Sequence, residues 1–369
     1  MENQSRRQLI TSGLYLALPG FISFISSSFT GCKNMEKAAS LSGNRREKER
    51  LTADEPGKYA EDFEPAYMKL HRSGELKKRG EELRDIMKSC KLCPRQCGVN
   101  RFEGVEGFCQ ASSRVEISSY NPHFGEEKPL VGRGGSGTIF MTNCGLRCVF
   151  CINWEVSHKG NGWPRSLDKM ADMMLDLQRT GCHNINIVTP THYSPHVLLA
   201  LDIAAGKGLS LPLVYNICGW ERLEIVKMLD GIVDIYLPDF KYSSGEMAAK
   251  YSSNAESYPE VTQSALLEMN RQVGVAKPAA DGIMYRGLMI RHLVMPNIVS
   301  GTRGVIEWIA ENLPKNTYLN IMSQYRPTYR ANEYPEINRK ITRKEYADAV
   351  NFAYQKGLTN LDIQGYPLF

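Results

Sequence analysis

The run Cys144-Gly145-Leu146-Arg147-Cys148-Val149-Phe150-Cys151 constrains this chain more than any other segment. Three thiols fall within eight residues, with three and then two residues between them. Thiolates spaced this way can wrap one side of a cubane iron–sulfur cluster, which needs four ligands. Three ligands leave one iron open to bind something else. An ordinary electron carrier closes that position with a fourth cysteine, so an open iron argues for chemistry at the cluster. The competing reading is a zinc knuckle or a structural cluster. Zinc prefers four closed ligands, and the next cysteine downstream is Cys182.

Cys90, Cys93, Cys97 and Cys109 form a second group. Four thiolates with short inner spacing suit tetrahedral zinc or another iron–sulfur cluster, and sequence does not separate the two. A structural staple is the simpler role and an electron relay the sharper one. The chain has ten cysteines, and seven of them lie in these two clusters, which points to metal ligation rather than to a disulfide framework. The remaining composition is that of a soluble globular protein: 369 residues, 42% hydrophobic and 23% charged. That length fits two domains, or one barrel with an appendage. The net charge of +5 is spread along the chain, and the basic stretch Arg45 to Arg50 also carries Glu47 and Glu49. No nucleic-acid partner is expected.

Residues 1–32 read as a sorting signal. Ser5-Arg6-Arg7-Gln8-Leu9-Ile10 resembles a twin-arginine export motif, and Phe29-Thr30-Gly31-Cys32 resembles a lipobox that would anchor the chain to a membrane through Cys32. The apolar run between them is too short for a membrane span. The signal points to the cell envelope, whereas the chemistry of the cluster points to the cytoplasm. Residues 33–58 are polar and read as a tether. Residues 59–112 read as a helical extension with a four-cysteine metal-binding group, and Leu70, Leu76, Leu83 and Met87 fall at helical intervals over 60–88. Residues 113–369 form the main domain.

In that domain short apolar strands are expected near Thr138–Met141, Ile185–Val188, Leu213–Ile217, Val233–Leu237, Leu288–Met295 and Tyr318–Met322. Amphipathic stretches follow them at Leu167–Thr180, Pro195–Ala205, Glu221–Leu229, Ala265–Val273, Val305–Asn312 and Thr342–Lys356. Six β–α units in series build a parallel sheet with helices outside, an α/β fold. The three-cysteine run directly follows the first strand, where active sites of parallel barrels lie. Thr189, Thr191 and His192 follow the second strand, Asn216 and Gly219 the third, Asp239 and Lys241 the fourth, Ser323 and Gln324 the sixth.

The three-cysteine run resembles the signature of the radical SAM superfamily, with Phe150 at its aromatic position. From Cys90 onward the chain is similar to a PflX-like group related to pyruvate formate-lyase activating enzyme. The segments that carry the likeness include Cys90–Asn100, Gly104–Cys109, Gly135–Phe140, Asn186–Tyr193, Tyr236–Tyr242 and Arg291–Pro296. The resemblance implies a partial (β/α)6 TIM-like barrel of radical SAM type. It implies a [4Fe-4S] cluster on Cys144, Cys148 and Cys151, whose open iron takes S-adenosyl-L-methionine. Reductive cleavage would give a 5′-deoxyadenosyl radical for hydrogen abstraction, fed by a low-potential electron donor. The substrate would be unknown or a glycyl radical enzyme, to which the chain would be activase-like. Asp239 and Lys241 match positions that contact S-adenosylmethionine, or they form a salt bridge at the barrel rim. Activating enzymes usually carry a Gly-Gly-Glu turn after the second strand; here Val188-Thr189-Pro190-Thr191-His192 occupies that place, without a carboxylate. The alternative from another class is an envelope-anchored iron–sulfur electron-transfer protein without catalysis.

Smaller signals carry two readings each. Cys182 and Cys218 read as small core residues more readily than as ligands. His292 reads as a core histidine or a substrate contact. His123, Glu126 and Glu127 line a cleft or form a polar loop. Trp154 shields the cluster or fills the core.

Overall fold

The computed structural model describes residues 63–365. The sorting signal, Cys32 and the tether lie outside these residues. Among the described residues no helix is long and apolar enough to cross a membrane. Among the described residues ten strands appear in chain order: β1 (Glu116–His123), β2 (Ser136–Met141), β3 (Trp163–Pro164), β4 (Ile185–Val188), β5 (Leu213–Ile217), β6 (Ile235–Pro238), β7 (Lys277–Pro278), β8 (Met284–Leu293), β9 (Tyr318–Met322) and β10 (Leu361–Ile363). They hydrogen-bond in the order β10-β9-β8-β6-β5-β4-β2-β1-β3, with β7 added beside β8. The six strands β2, β4, β5, β6, β8 and β9 run parallel in chain order. This path has two ends, so the sheet is open.

Each parallel strand is followed by a helix: Leu167–Arg179, Ser194–Gly206, Leu223–Met228, Tyr258–Val273, Thr302–Asn312 and Arg343–Gln355. Strands β5 and β9 are buried at every position, as a parallel sheet covered on both faces requires. Local chemistry fixes the helix starts. Ser166 accepts from the Lys169 amide at the first helix, and Thr342 and Glu345 form a reciprocal capping box at the last.

The expected helical stretch over 60–88 is broken. Helices Tyr67–Arg72 and Glu75–Asp85 meet at Gly74, whose φ of 75° suits glycine. Leu76 and Leu83 are fully buried, and Gly80 lies against Leu198 and Leu199 of helix Ser194–Gly206. Strand β1 is an addition to the six expected strands. Its pattern is polar and half-exposed, and it pairs antiparallel with β2 as an edge to the parallel set.

Strand alternation layers the interior face. Val214, Ile235, Leu237, Met289 and Tyr318 join Leu130 and Met284 in an apolar cluster separate from the main core. Two residues further along their strands come Asn216, Asp239, Arg291 and Asn320, which therefore share that face. Asp239 bridges Arg291, and Arg291 is in register with Asn320. A polar layer thus sits on an apolar one at the C-terminal ends of the strands. Leu130 brings the segment between β1 and β2 across this face.

Buried histidines tie the fold to pH. His292 donates from Nδ1 to the Phe240 carbonyl and accepts at Nε2 from the Thr302 hydroxyl. Burial pulls His292 and His196 down to about 4 and His192 to about 3. Below the ordinary histidine pKa the unfolded chain binds protons that the fold refuses. Stability should therefore fall as the pH drops from about 6.5 toward 4, by about 1.4 kcal/mol per pH unit for each histidine that stays neutral. Denaturant titrations between pH 7 and 5 check this, and His292→Asn, which keeps the donor to Phe240, should flatten the slope by one histidine's share.

Candidate active site

The loop after β2 carries Cys144, Cys148 and Cys151. It winds through two left-handed residues, Asn143 (φ 68°) and Arg147 (φ 49°). The Asn143 amide donates to the Val156 carbonyl at 2.9 Å. Each sulfur has its own donor. The Leu146 amide reaches Cys144 Sγ at 3.4 Å, the Ser252 hydroxyl reaches Cys148 Sγ at 3.0 Å, and Ser157 Oγ pairs with Cys151 Sγ at 3.1 Å. The neighbouring Cys218 thiol is the main cause that lowers Cys144 to about 6. Burial pushes Cys148 up to about 12 and raises Cys151. The Lys241 ammonium acts on all three.

These residues fit an iron–sulfur cluster. Buried thiols resist ionisation until a metal cation offsets the cost. Among the described residues no three His, Cys, Asp or Glu side chains are gathered as a cage for a single ion. Thiolates on different irons of a cluster stand farther apart than ligands of one ion, so the three-cysteine loop suits the cluster better than zinc. Cys218 lies close enough to Cys144 to influence its sulfur, a neighbour that sequence reasoning missed by reading Cys218 as a small core residue.

Cys90, Cys93, Cys97 and Cys109 are also neighbours. The Cys90 amide donates to Val99, the Gly98 amide returns to Cys90, and the Phe108 amide reaches Cys97 Sγ at 3.3 Å. Burial pushes Cys93 up to about 12, followed by the influence of Cys109. This group abuts the three-cysteine loop. A Cβ on Gly145 would meet Cys93 Sγ at 3.4 Å. The Arg95 guanidinium donates to the Gly145 carbonyl at 2.9 Å and to the Ser252 carbonyl at 3.2 Å. Its remaining faces lie on Phe108 and Trp220.

After β4, Thr189 adopts a φ of 60°, an unfavourable place for a β-branched residue. Its amide donates to the Asn216 carbonyl at 2.8 Å. The Thr191 hydroxyl donates to Glu221 Oε1 at 2.5 Å. Glu221 is 1% exposed, and burial pushes it up to about 8. The turn without a carboxylate of its own thus receives one from the loop after β5. His192 bonds the Thr142 carbonyl through Nε2 at 2.8 Å and ties this turn to the start of the cysteine loop.

Asp239 and Lys241 form the ion pair anticipated as one of their two readings, at 2.6 Å. The other Asp239 oxygen accepts from Arg291 Nε at 2.7 Å. Burial opposes the Asp239 charge, but Arg291 and Lys241 overcome it and leave the carboxyl below its ordinary range. Arg291 also donates to Asn216 Oδ1 at 2.7 Å and lies 3.5 Å from Glu126. Burial, countered by Arg291, pushes Glu126 up to about 7. Glu126 and Glu127 therefore face the interior, and Arg291 joins the site although only the segment around it stood out in the sequence. Trp154 stacks on Tyr329 at 5.2 Å beside the cysteine loop, and His292 is a satisfied core residue.

No protein-family model matches the chain. The uncharacterized protein MJ0674 of Methanocaldococcus jannaschii is 33% identical over 291 residues, which span 75% of this chain and 78% of that protein. Among solved structures, methylornithine synthase (PylB) superposes over 81% of this chain and 82% of its own, with 10% identity and a TM-score of 0.38.

Arg95 is the only described side chain seen to hydrogen-bond both Gly145 and Ser252. Replacing it with alanine removes two charge-assisted bonds, each about 1.5–3 kcal/mol in general. Amide hydrogen exchange across residues 144–151 should accelerate in Arg95→Ala, while exchange in β9 stays unchanged.

Proposed function

The chain belongs to the family of the uncharacterized protein MJ0674 of Methanocaldococcus jannaschii, and we propose that it is a radical SAM iron–sulfur enzyme. The observation that carries this reading is the set of three buried thiols at the end of β2. Each has its own hydrogen-bond partner, and the Lys241 ammonium acts on all three. In this reading Cys144, Cys148 and Cys151 hold a [4Fe-4S] cluster. A cluster held there would supply the electron for reductive cleavage of S-adenosylmethionine, the source of a 5′-deoxyadenosyl radical for hydrogen abstraction.

The chain's own residues position and shield. Lys241 has donors left beyond Asp239 and meets the methionyl carboxylate. Asp239 orients Lys241 through one oxygen and Arg291 through the other, and its remaining lone pairs can accept from the ligand's ammonium. Glu221, with Thr191, offers an acceptor for the methionyl ammonium. Thr189 and neutral His192 hold the turn in place. Phe150 packs edge-on to Tyr242 and Tyr325 and keeps water from the sulfurs. The four thiols at Cys90, Cys93, Cys97 and Cys109 do not close on a single ion either, so by the same argument this group would suit a second cluster better than zinc, and it braces the loop. Activase-like action on a glycyl radical enzyme, a low-potential donor and anchoring through Cys32 are finer parts of the proposal, supported by the sequence resemblances.

The test uses full-length protein, purified anaerobically, reconstituted with iron and sulfide, and given dithionite and S-adenosylmethionine. 5′-Deoxyadenosine should form and fall to background in Cys148→Ala. An intact cluster that binds S-adenosylmethionine but yields no 5′-deoxyadenosine would overturn the reading and favour an electron carrier. Hydrogen bonds to cluster sulfurs help set the potential. Ser252→Ala removes one, so its cluster midpoint should move lower in a redox titration followed by electron paramagnetic resonance.

A further inference from the structure

We propose that the interior face at Glu126, Glu127 and Asn320 binds the ammonium group of a small amine-bearing substrate. The radical SAM reading supplies the fate of that substrate, while its binding rests on this face alone.

Glu127 is 7% exposed. Its Oε1 accepts from Asn320 Nδ2 at 3.0 Å; its Oε2 has no partner while the neighbouring Glu126 is ionised, and Glu126 can serve it only when protonated. Asn320, 2% exposed, likewise leaves its own Oδ1 unpartnered. Buried polar groups are nearly always satisfied, and a buried carboxylate oxygen without a donor is costly. Both unmet atoms are acceptors on touching side chains, so the group that completes them must donate. An ammonium offers three donors and no acceptor.

The charges facing this place agree. Arg291 is the nearest cation, and it is shared among Asp239, Glu126 and Glu127. Lys241 pairs with Asp239, and its remaining donors are directed to the thiol end of the site in the reading above. Asp362, on β10, accepts from the Tyr318 hydroxyl at 2.6 Å and adds a further carboxyl. Glu127, Asp239 and Asp362 thus stand against Arg291 and Lys241, and the imbalance is negative even without Glu126. Burial already holds Glu126 up to about 7. A metal ion is the weaker candidate, since no three acidic or other ligating side chains close on a point among the described residues.

The position also suits a substrate. Lys241 faces the thiols, and Asp239 and Arg291 carry the polar layer from Lys241 across to Glu126 and Glu127. An ammonium bound at Glu127 would put the ligand's carbon skeleton between itself and the thiol end.

Saturation-transfer NMR on the full-length protein tests this with butylammonium, tetramethylammonium, butyrate and 1-butanol. Butylammonium should bind, and the other three should bind about tenfold or more weakly, because they lack either the charge or the N–H donors. Glu127→Gln, which keeps the shape, should weaken butylammonium by about tenfold or more. Equal signals from butyrate or 1-butanol, or unchanged binding in a folded Glu127→Gln protein, would overturn the proposal. The ranking of probes on the unaltered chain decides the matter even if the variant fails to fold. Amine binding without 5′-deoxyadenosine formation would sink only the radical reading; 5′-deoxyadenosine formation without amine preference would sink only this one.

Discussion

Asp239 holds Lys241 with one carboxylate oxygen and Arg291 with the other, and the interior of this protein is arranged around that chain of three charges. A buried carboxylate needs a partner to stay ionised. Two partners on opposite sides make Asp239 a strut. It fixes Lys241 where the ammonium acts on all three loop thiols, and it fixes Arg291 where the guanidinium reaches Asn216 and Glu126. Losing Asp239 would leave two buried cations without their shared anion, so its removal would disturb both ends of the site together.

The fold can keep such a network buried because strand alternation places an apolar layer under it. Leu237 precedes Asp239, Met289 precedes Arg291 and Tyr318 precedes Asn320 by two residues, so each polar group stands on an apolar one of the same strand. The backbone at the rim is less relaxed. Thr189, Asn143 and Arg147 all have positive φ, and residues held so cluster where a ligand or switch demands it. Thr189 is the clearest case: glycine would enter that conformation freely, while threonine must be held there by its bond to Asn216 and by the packing of the turn.

Much of the architecture is legible in the residues because buried parallel strands read as short apolar runs. The runs at 185–188, 213–217 and 318–322 coincide with strands β4, β5 and β9. Strand β6 begins at Ile235, two residues after the expected Val233. Strand β8 starts at Met284 rather than near Leu288 and pairs there with β7, which a short apolar run does not announce. Strand β1 escapes notice for the same physical reason that makes it an edge: five of its eight positions, Ser118, Ser119, Tyr120, Asn121 and Pro122, give no apolar period. The site divides likewise. The cysteines, Asp239 and Lys241 stand out through local spacing and resemblance. Cys218, Glu221 and Arg291 acquire their roles only when distant strands converge, and no period along the chain reports a distance across it.

The two cysteine groups illustrate how far convergence reaches. Cys93 lies against Gly145, and Arg95, two residues further on, binds the carbonyls of Gly145 and Ser252. Ser252 in turn donates its hydroxyl to Cys148. A change in the geometry of the Cys90–Cys97 knuckle is therefore transmitted to a sulfur of the other loop through one arginine and one serine. The two groups approach at Gly145, where a Cβ would stand 3.4 Å from Cys93 Sγ. Metal binding at one group orders its own loop, and ordering carries free energy. A loop so ordered presents Arg95 and Cys93 to its neighbour already in place, so filling the first group should favour filling the second even if no electron passes between them. Mechanical support is thus sufficient to explain why the cysteine-rich extension is packed against this loop, and an electron relay would have to be established on separate grounds.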